Sequence, residues 1–415
     1  MMIDLKKKYW LITDSYTYVV IKNGEMLLYN TENGEFLETS YDVCLQLFNK
    51  LQERNNLGVV ALDEKYIQDS ACISFIEKAI DKKIVTTTEI KIEFPKPIVL
   101  LPILNLQRDV DRMKKENKFH VGDELLTYIT EINIYINEEC KLNCKHCDLY
   151  YKQTEFCTRG VENHILKPEV IKGLLMQLRY SSVRKINILG GDILSYPYWE
   201  ELSNVLKIYD YDFHYWTYYK NFSKTENWLK ANDLLYKEIL IDSPIDKEII
   251  QQCLSQYSKD KNVRFNFLIE NKAQYAVIKQ LSSLFYSKHF HLIPVFTRNN
   301  IDFFKKYIYL NKEDILSKTI IQRKIFCNQT VNTNNFGKLY ILPNGEVRAN
   351  RTSISIGNIF EDILLKIIYN ELVKNTAWRK IRDGRPCDNC LYQFLCPPPS
   401  NYESLIGIKN LCNVK

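Results

Sequence analysis

The sequence lacks the long apolar run that a membrane-spanning helix needs. No stretch approaches about eighteen consecutive apolar side chains, close to the minimum for crossing a bilayer. The opening residues, Met-Met-Ile-Asp-Leu-Lys-Lys-Lys, also lack the apolar core and small-residue cleavage site of a secretory signal. A cytoplasmic protein without a membrane partner is therefore expected.

The sequence also lacks the strong positive charge typical of proteins that bind nucleic acid. The net charge is +6, from 56 Lys and Arg against 50 Asp and Glu. Residues 1–91 carry 11 basic and 14 acidic side chains, a balance of −3, whereas residues 320–415 carry 13 and 7, a balance of +6. Because phosphate contacts require Lys and Arg, the charge argues against a nucleic-acid partner, above all for the N-terminal part.

The twelve cysteines do not have the spacing of a disulfide framework. Such frameworks are spread through small secreted domains, whereas most of these cysteines lie in clusters. Clustered cysteines in a reducing compartment indicate metal binding or catalysis. We expect the isolated ones to be small buried apolar residues or bystanders: Cys44, Cys72, Cys157 and Cys253.

The first cluster, Cys140-Lys-Leu-Asn-Cys144-Lys-His-Cys147, follows the alternating apolar run Ile132–Ile136. Three thiolates in a C-x3-C-x2-C loop after a strand can hold three irons of a 4Fe–4S cube and leave the fourth iron open. A structural zinc ion would need four ligands, usually in two close pairs, and no nearby Cys or His completes such a set. Three unrelated thiols are the other alternative.

This motif resembles the signature of the radical S-adenosylmethionine (SAM) superfamily. The resemblance implies that the amino and carboxylate groups of SAM bind the open iron. It further implies that an electron from the cluster splits SAM into methionine and a 5′-deoxyadenosyl radical. His146, directly before the third cysteine, would then lie against the adenine, and a surface histidine is the alternative.

Residues 128–310 alternate between apolar strands and helix-like segments. Six strand–helix units indicate an α/β fold with a parallel sheet, closed or partly closed into a barrel, and with ligands at the carboxyl ends of the strands. The radical SAM resemblance implies a partial (β/α)6 TIM-like barrel. The predicted strands are Ile132–Ile136, Lys185–Leu189, Phe213–Tyr218, Glu238–Ile241, Arg264–Leu268 and His289–Pro294. The predicted helices are Pro168–Leu178, Trp199–Ile208, Lys247–Tyr257 and Ala273–Leu284.

The second predicted strand ends in Gly190-Gly191-Asp192. Two glycines allow the backbone to approach a ligand closely, although the tripeptide alone is also typical of an ordinary turn. In the radical SAM superfamily a Gly-Gly-Glu-Pro-like motif at this point binds the amino group of SAM, and these residues match it with Asp for Glu and Ile for Pro. The family uses polar residues after the third and fourth strands for the ribose and methionine; here they are Thr217, Asn221, Asp242 and Ser243.

Residues 1–91 begin with three strand patterns, followed by helical patterns and a closing strand. Asn23-Gly24 is placed for a hairpin turn, and Asn33-Gly34 forms a second turn dipeptide. The predicted strands are Tyr9–Ile12, Tyr16–Ile21, Met26–Tyr29 and Ile84–Thr88, and the predicted helices are Tyr41–Leu51 and Cys72–Ile80. This order indicates a small winged-helix-like α+β unit.

This unit, with Leu28-Tyr-Asn-Thr31 ahead of a helix, resembles the RiPP recognition element of enzymes that modify ribosomally made peptides. The resemblance implies that an extended leader peptide adds as a strand to a sheet edge. A DNA-binding winged helix and a packing domain without a ligand are the alternatives.

Beyond this unit, residues 92–127 combine prolines with the charged run Arg108–Lys118, which is expected to be a solvated helix face in a bridge between domains. Residues 311–415 contain a hairpin pattern at 339–349 with a Pro-Asn-Gly turn.

A second cysteine cluster follows the hairpin and comprises Cys387, Cys390, Cys396 and Cys412. Four thiolates with a C-x2-C pair can bind a 4Fe–4S cluster or a zinc ion. This region resembles the SPASM extension of peptide-modifying radical SAM enzymes, which implies an auxiliary 4Fe–4S cluster on these cysteines. Asn350 and Ser400 occupy cysteine positions of the full pattern, and only Cys327 remains of a first auxiliary set. One auxiliary cluster is therefore predicted.

Together these resemblances predict a radical SAM enzyme that abstracts hydrogen from a ribosomally made precursor peptide and forms a C–S or C–C crosslink, with electrons from an external reductant. The expected domains are 1–91 for leader binding, 92–127 as the bridge, 128–310 as the partial barrel and 311–415 as the SPASM-like extension. The alternatives are a non-catalytic partner that carries the leader for another maturase, and a protein-oxidising enzyme like the sulfatase maturases.

Overall fold

The structure, a computed structural model, describes residues 3–4, 7–100, 106–117, 124–159, 162–221, 236–257, 260–282 and 290–414. In its N-terminal part the strands are β1 (Tyr9–Thr13), β2 (Thr17–Lys22), β3 (Glu25–Asn30), β4 (Phe36–Thr39), β5 (Val59–Ala61) and β6 (Val85–Glu89). The helices of this part are α1 (Asp42–Gln52), α2 (Glu64–Ile67) and α3 (Ser70–Asp81).

All strands and helices predicted for the N-terminal part are confirmed, and the structure adds the short strands β4 and β5. Asn23 and Gly24 join β2 to β3 as a two-residue hairpin in which both φ angles are positive, 50° and 76°. This conformation matches the twist of antiparallel strands.

The first three strands do not form one sheet. β1 is the middle strand of the antiparallel sheet β5-β1-β6, whereas β2, β3 and β4 form a separate antiparallel sheet. The partner β6 lies more than sixty residues after β1, so no local pattern could indicate this pairing. The likeness to a winged helix and the leader-binding role stay predictions.

Two amphipathic helices cover the apolar face of this part. Apolar side chains at helical spacing in α1, including Leu47 and Phe48, are fully buried against Leu11 of β1 and Met26 of β3. The helix α3 packs on the same cluster through Ile76, and Asp69 caps its first turn by accepting a hydrogen bond from the Cys72 backbone.

The charged run at 108–118 forms most of α4 (Leu106–Glu116), with the described residues ending at 117. Its polar face is exposed, and Val110 and Met113 are buried. A solvated helix is thus confirmed for the residues described. Within the described ranges, every helix is too short or too polar to span a lipid bilayer.

The central part is a parallel sheet, and its six predicted strands are confirmed. The strands are β7 (Glu131–Tyr135), β8 (Lys185–Leu189), β9 (Asp212–Tyr218), β10 (Tyr236–Ile241), β11 (Val263–Ile269) and β12 (Phe290–Pro294), paired in sequence order. The described helices between them are α5 (Cys147–Gln153), α6 (Pro168–Gln177), α7 (Trp199–Leu206), α8 (Lys247–Tyr257) and α9 (Lys272–Ser282). The predicted residues 283–284 and 289 lie outside the described residues. Closure into a partial barrel stays a prediction.

The C-terminal part extends this sheet. Its strands are β13 (Lys338–Ile341), β14 (Glu346–Arg348) and β15 (Ser355–Asn358), and its helices are α10 (Ile301–Tyr307), α11 (Lys312–Leu316), α12 (Gln322–Thr330), α13 (Leu364–Lys374) and α14 (Asn401–Ile406). The predicted hairpin is β13–β14, and β13 pairs in parallel with β7. The sheet therefore has nine strands among the described residues, and the C-terminal part lies beside the strand that leads into the first cysteine cluster.

The N-terminal and C-terminal parts share a small apolar core. Val20, Leu27 and Tyr29 from β2 and β3 pack against Ile315, Ile325 and residues near the second cysteine cluster. The Tyr29 hydroxyl accepts a hydrogen bond of 2.8 Å from the Ile320 backbone. The β2–β3 sheet is thus fixed against the tail of the chain.

Candidate cofactor site

The segment from Cys140 to Cys147, called the cysteine loop below, follows the carboxyl end of β7. Cys147 begins α5, so the third thiol is held at a helix N-terminus. Cys140 and Cys147 are exposed, whereas Cys144 is half-buried, and burial raises the pKa of its thiol. All twelve cysteines are free thiols.

Gly190 and Gly191 pack directly against the cysteine loop and the residues before it. A Cβ atom at Gly191 would lie 3.0 Å from Cys140 Sγ, and one at Gly190 would collide with the side chain of Asn137. Gly191 also has a φ of 71°, which side chains disfavour. Both glycines are therefore needed for the ends of β7 and β8 to meet this closely.

Asparagine 137 connects the two loops by hydrogen bonds. Its Nδ2 donates to the Asp192 carbonyl at 3.1 Å and to Ser195 Oγ at 2.9 Å. The Asp192 carboxylate in turn accepts from Asn221 Nδ2 at 3.1 Å. The predicted residues Asp192 and Asn221 are thus brought together at the carboxyl ends of β8 and β9, an edge of the sheet called the rim below.

Asp242 lies at the same rim, directly after β10. Its side chain is buried and accepts a hydrogen bond of 2.7 Å from the Tyr218 hydroxyl. Burial raises the pKa of Asp242, and the bond from Tyr218 acts in the opposite direction. Ser243 follows it and, with Lys145 of the cysteine loop, lines a cavity of about 690 Å³ between α8 and α9.

Thr217 is the predicted residue that the structure does not bring to the rim. Neighbouring side chains alternate between the two faces of a strand, and Tyr218 takes the rim-facing position. Thr217 is buried on the other face, the one on which Phe213 and Tyr215 pack with the helices.

Glu270 and Lys145 belong to the rim although the sequence analysis did not single them out. Glu270 directly follows β11, and its Oε2 accepts a bond of 3.0 Å from Lys145 Nζ. His146 Nε2 lies 3.2 Å from Glu270 Oε1, in an orientation that does not form a hydrogen bond. The rule that identified Asp192 and Asp242, a polar residue directly after a strand, also applies to Glu270.

Four buried polar atoms around the cysteine loop have no hydrogen-bond partner among the described residues. They are Asn137 Oδ1, His146 Nε2, Tyr150 Oη and Glu270 Oε1. Leaving such an atom unpaired costs about 1–3 kcal/mol, so their concentration at one edge indicates that a polar ligand completes it. The residues fit SAM in this respect, because the glycines permit close approach and the acids and histidine can bind its amino, hydroxyl and adenine groups.

The four tail cysteines, called the tail site below, line one cavity of about 880 Å³: Cys387, Cys390, Cys396 and Cys412. Burial raises the pKa of Cys396 to about 12, and the charge of Arg382 acts against this rise. The Arg382 guanidinium also lies 3.9 Å from Cys387 Sγ and forms a buried ion pair of 2.8 Å with Glu403.

The N-terminal hairpin forms part of the wall of the tail site. Lys22 Nζ donates to the carbonyls of Asp388 at 2.8 Å and Cys390 at 3.3 Å, and Asn23 donates to the carbonyl of Asn389 at 3.3 Å. Burial lowers the pKa of Lys22, while the neighbouring Cys390 raises it. The C-x2-C turn is therefore fixed by residues from the opposite end of the chain.

Within the described part of the chain, no three His, Cys, Asp or Glu side chains converge on a position for a single metal ion. A single zinc ion requires each of its ligand atoms to lie within about 2.3 Å of the metal. A 4Fe–4S cube binds each thiolate to a different iron and therefore spaces them more widely.

Hydrogen bonds occupy the positions where the SPASM pattern has further cysteines. Asn350 Nδ2 donates to Asn335 Oδ1 and Asn401 Oδ1, both at 2.7 Å. Ser400 caps α14 in a reciprocal capping box with Glu403. Cys327 is half-buried on α12 and is not among the residues that line the tail cavity.

No protein-family model matches the chain. Among curated proteins, a probable GTP 3′,8-cyclase of Methanosarcina acetivorans is 30% identical to it over 89 residues, or 21% of this chain. The match spans 26% of that protein, so the chain corresponds to only about a quarter of this curated relative's length.

Three solved structures have a partly similar fold. Streptococcus suis SuiB bound to S-adenosylmethionine is 15% identical with a TM-score of 0.45, and the alignment covers 97% of each chain. SuiB bound to the precursor peptide SuiA is 14% identical with a TM-score of 0.46, covering 97% of this chain and 100% of SuiB. The structure of anSMEcpe with AdoMet and the Kp18Cys peptide is 15% identical with a TM-score of 0.43, covering 64% and 88%. All three TM-scores are below 0.5, so these likenesses carry no conclusion about function.

Proposed function

We propose that the protein is a radical SAM enzyme that modifies a ribosomally made precursor peptide. The contact between the cysteine loop and Gly190-Gly191 carries the proposal, with Cys140 Sγ only 3.0 Å from the Cβ position of Gly191. Two motifs that are far apart in the sequence, each typical of cofactor binding, meet at the carboxyl edge of a parallel sheet, where such folds bind ligands.

In this proposal Cys140, Cys144 and Cys147 hold a 4Fe–4S cluster, and the rim holds SAM. Asp192 binds the amino group, His146 lies against the adenine, Asp242 accepts from hydroxyl groups, and Asn221 binds hydroxyl or carboxylate groups. When bound there, a reduced cluster would supply the electron needed to split SAM into methionine and a 5′-deoxyadenosyl radical. The protein contributes orientation and a buried, water-excluding surface around Tyr218 and Leu189.

The favoured reaction is the closing of a C–S or C–C crosslink in the substrate. After hydrogen abstraction, closing such a bond releases one proton and one electron. The tail site could hold the electron acceptor as an auxiliary 4Fe–4S cluster, with zinc as the other occupant. Its four thiolates would bind one iron each, so no iron of that cluster would be left open for the substrate.

The peptide partner is proposed from the N-terminal part. In the described residues β4 forms one edge of the sheet β2-β3-β4, with no strand on its outer side. An extended leader can add to such an edge through backbone hydrogen bonds. The same part carries a small negative balance of charge, which favours a peptide over nucleic acid.

Anaerobic reconstitution tests the proposal. We expect about eight irons per chain and release of 5′-deoxyadenosine from SAM with dithionite as reductant. Replacing Cys140, Cys144 and Cys147 together by Ala should remove about four irons and reduce 5′-deoxyadenosine to background. Cys253→Ala is the matched control, because this buried cysteine lies on α8 in the core.

The outcomes separate the alternatives. About four irons with one zinc would keep the radical chemistry and make the tail site structural. A formed cluster without SAM cleavage would contradict the proposal and favour a non-catalytic carrier of the leader peptide. Loss of iron in Cys253→Ala would show that the triple variant reports general unfolding.

A further inference from the structure

A further cavity lies near the cysteine loop, on the side of the C-terminal hairpin. It has a volume of about 270 Å³ and lies between the end of β7 and the β13–β14 hairpin, where Tyr135, Tyr340 and Arg351 line it. Cys157 forms a further part of its wall. The same residue packs on Gly191, whose Cβ position lies 3.3 Å from Cys157 Cβ and 3.0 Å from Cys140 Sγ. The cavity therefore shares a wall with the proposed SAM site.

The guanidinium of Arg351 places a positive charge at this cavity and has few hydrogen-bond partners. Its side chain is only 12% exposed, and its Nη2 donates to the Gln153 carbonyl at 3.1 Å. The Oε1 of Glu155 lies 3.8 Å from Nη1, beyond hydrogen-bond distance. The Nε atom is buried and has no partner among the described residues. A guanidinium with five N–H donors thus retains unused donors in a buried position.

Tyr135 adds a second unused donor on the same cavity. It is 1% exposed, and its hydroxyl has no hydrogen-bond partner in the part of the chain that the structure describes. The neighbouring Tyr340 differs, because its hydroxyl donates to Glu155 at 3.5 Å. Two buried donors without acceptors on one cavity indicate a ligand that accepts hydrogen bonds.

The other charges of the cavity are paired or exposed. Arg348 forms two hydrogen bonds with Glu346, at 3.1 and 3.0 Å. His164 lies 3.1 Å from Glu138 and 3.5 Å from Glu162. Arg159 is exposed at the surface. The lining carries three arginines and three glutamates, and Arg351 is the buried cation among them that forms no hydrogen bond with a carboxylate of the described residues.

We propose that Arg351 and Tyr135 form a subsite for a carboxylate of the peptide substrate, next to the cysteine loop. Arg binds carboxylates through paired N–H donors, and the tyrosine hydroxyl can donate a further bond. The carboxylate can come from an Asp or Glu side chain or from the C-terminus of the peptide. This subsite rests on the proposed function for the identity of its ligand as a peptide, but its binding chemistry can be measured separately.

Saturation-transfer NMR on the anaerobically reconstituted enzyme tests the subsite. Four probes separate the carboxylate sources: N-acetyl-glutamate amide with N-acetyl-glutamine amide, and N-acetyl-alanine with its amide. We expect one acid to bind and its matched amide not to bind. Binding should persist when the enzyme is saturated with SAM, because the rim and this cavity lie on different sides of the shared wall.

Three variants and one control assign the binding to the named residues. Arg351→Gln should weaken the bound acid about tenfold or more, and Tyr135→Phe should weaken it several-fold while keeping the ring. Glu155→Gln should tighten binding, because it removes the competing carboxylate. Arg298→Gln should leave binding unchanged, because Arg298 is not among the residues that line this cavity and lies 3.4 Å from Asp148.

The subsite is overturned if neither acid binds, if acid and amide bind equally, if SAM displaces the acid, or if Arg351→Gln and Tyr135→Phe bind as the wild type does. SAM cleavage in the absence of peptide is measured in the same samples. It should be retained in Tyr135→Phe if the subsite concerns substrate alone. Absence of cleavage in every sample, with the acid still bound, would refute the radical SAM function and leave the subsite standing.

Discussion

Cysteines cluster both at the rim and at the tail site, but the two places differ in how completely the neighbouring buried polar groups are hydrogen-bonded within the chain. At the rim, four buried polar atoms around the cysteine loop lack hydrogen-bond partners among the described residues, and two of them, His146 Nε2 and Glu270 Oε1, lie 3.2 Å apart. Around the tail cysteines the polar groups are mostly paired within the chain, through Arg382–Glu403 and through Lys22. Asn328 Oδ1 and Asp388 Oδ1 are the unpaired exceptions there.

This difference separates an edge that still needs polar partners from a ligand from a site whose surrounding polar groups are paired within the chain. Unpaired buried groups reduce stability, so they persist where a ligand will pair them. A site whose surroundings are already satisfied gains its stability from the chain itself. The comparison predicts opposite effects on stability when single charged groups are changed in the two places.

The largest effect is expected from Arg382→Gln in the tail. This change leaves Glu403, whose side chain is 5% exposed, without its cation. Removal of one partner of a buried pair destabilises by about 3–5 kcal/mol. Urea unfolding of the metal-free protein measures the change, and Arg348→Gln, in a more exposed pair, should cost less than about 1 kcal/mol. Equal effects of the two variants would break the comparison.

A smaller effect is expected from Lys22→Gln. The ammonium group donates to two carbonyls of the C-x2-C turn, and a half-buried charged donor of this kind contributes about 1–2 kcal/mol. Amide hydrogen exchange should show faster opening of the β2–β3 hairpin and of residues 387–390. Lys7→Gln is the control, because Lys7 forms an exposed pair with Glu89 far from the tail. Unchanged exchange in Lys22→Gln would show that the apolar core alone fixes the hairpin.

The smallest effect, with the opposite sign, is expected from Asp242→Asn at the rim. Burial raises the pKa of Asp242 above its ordinary value of 3.8, so the folded state holds this proton more tightly than the unfolded state. Stability therefore falls as pH rises through the interval above 3.8 and stays reduced at neutral pH. The variant lacks this penalty and should be more stable at pH 7 by about 0.5–1 kcal/mol.

The gain in Asp242→Asn should shrink as the pH is lowered toward 3.8, because the wild-type carboxyl then becomes neutral as well. Thermal unfolding of the cofactor-free protein at a series of pH values measures it. A destabilised variant at pH 7 would mean that the rim is satisfied without a ligand and that the two sites do not differ.

The sequence predicted the central sheet well because each strand is a short stretch rich in apolar and aromatic residues, separated from the next by a helical pattern. It missed β4 and β5 because the first is largely half-exposed and the second has only three residues. The sequence pointed to Thr217 because it is polar and lies near the end of β9. Side chains alternate between the two faces of a strand, however, and this alternation places Tyr218 at the rim.

The cysteine loop and Gly190-Gly191-Asp192 were identifiable because each is a local motif. Arg351, Tyr135 and Lys22 were not identifiable, since their importance depends on which distant elements meet. Arg351 follows a hairpin whose strand pairs with β7 more than two hundred residues earlier. Glu270 is intermediate in this respect. It belongs to no motif, but its position directly after β11 could have been identified from the strand pattern.

The contact between Lys22 and the tail has a consequence for the time course of synthesis. Its partner Asp388 lies 366 residues later, so at about 5–20 residues per second the ribosome completes the tail roughly 20–70 s after the hairpin. During that interval Val20, Leu27 and Tyr29 have no tail to cover them. The nascent chain therefore exposes an apolar sheet face that the finished protein buries.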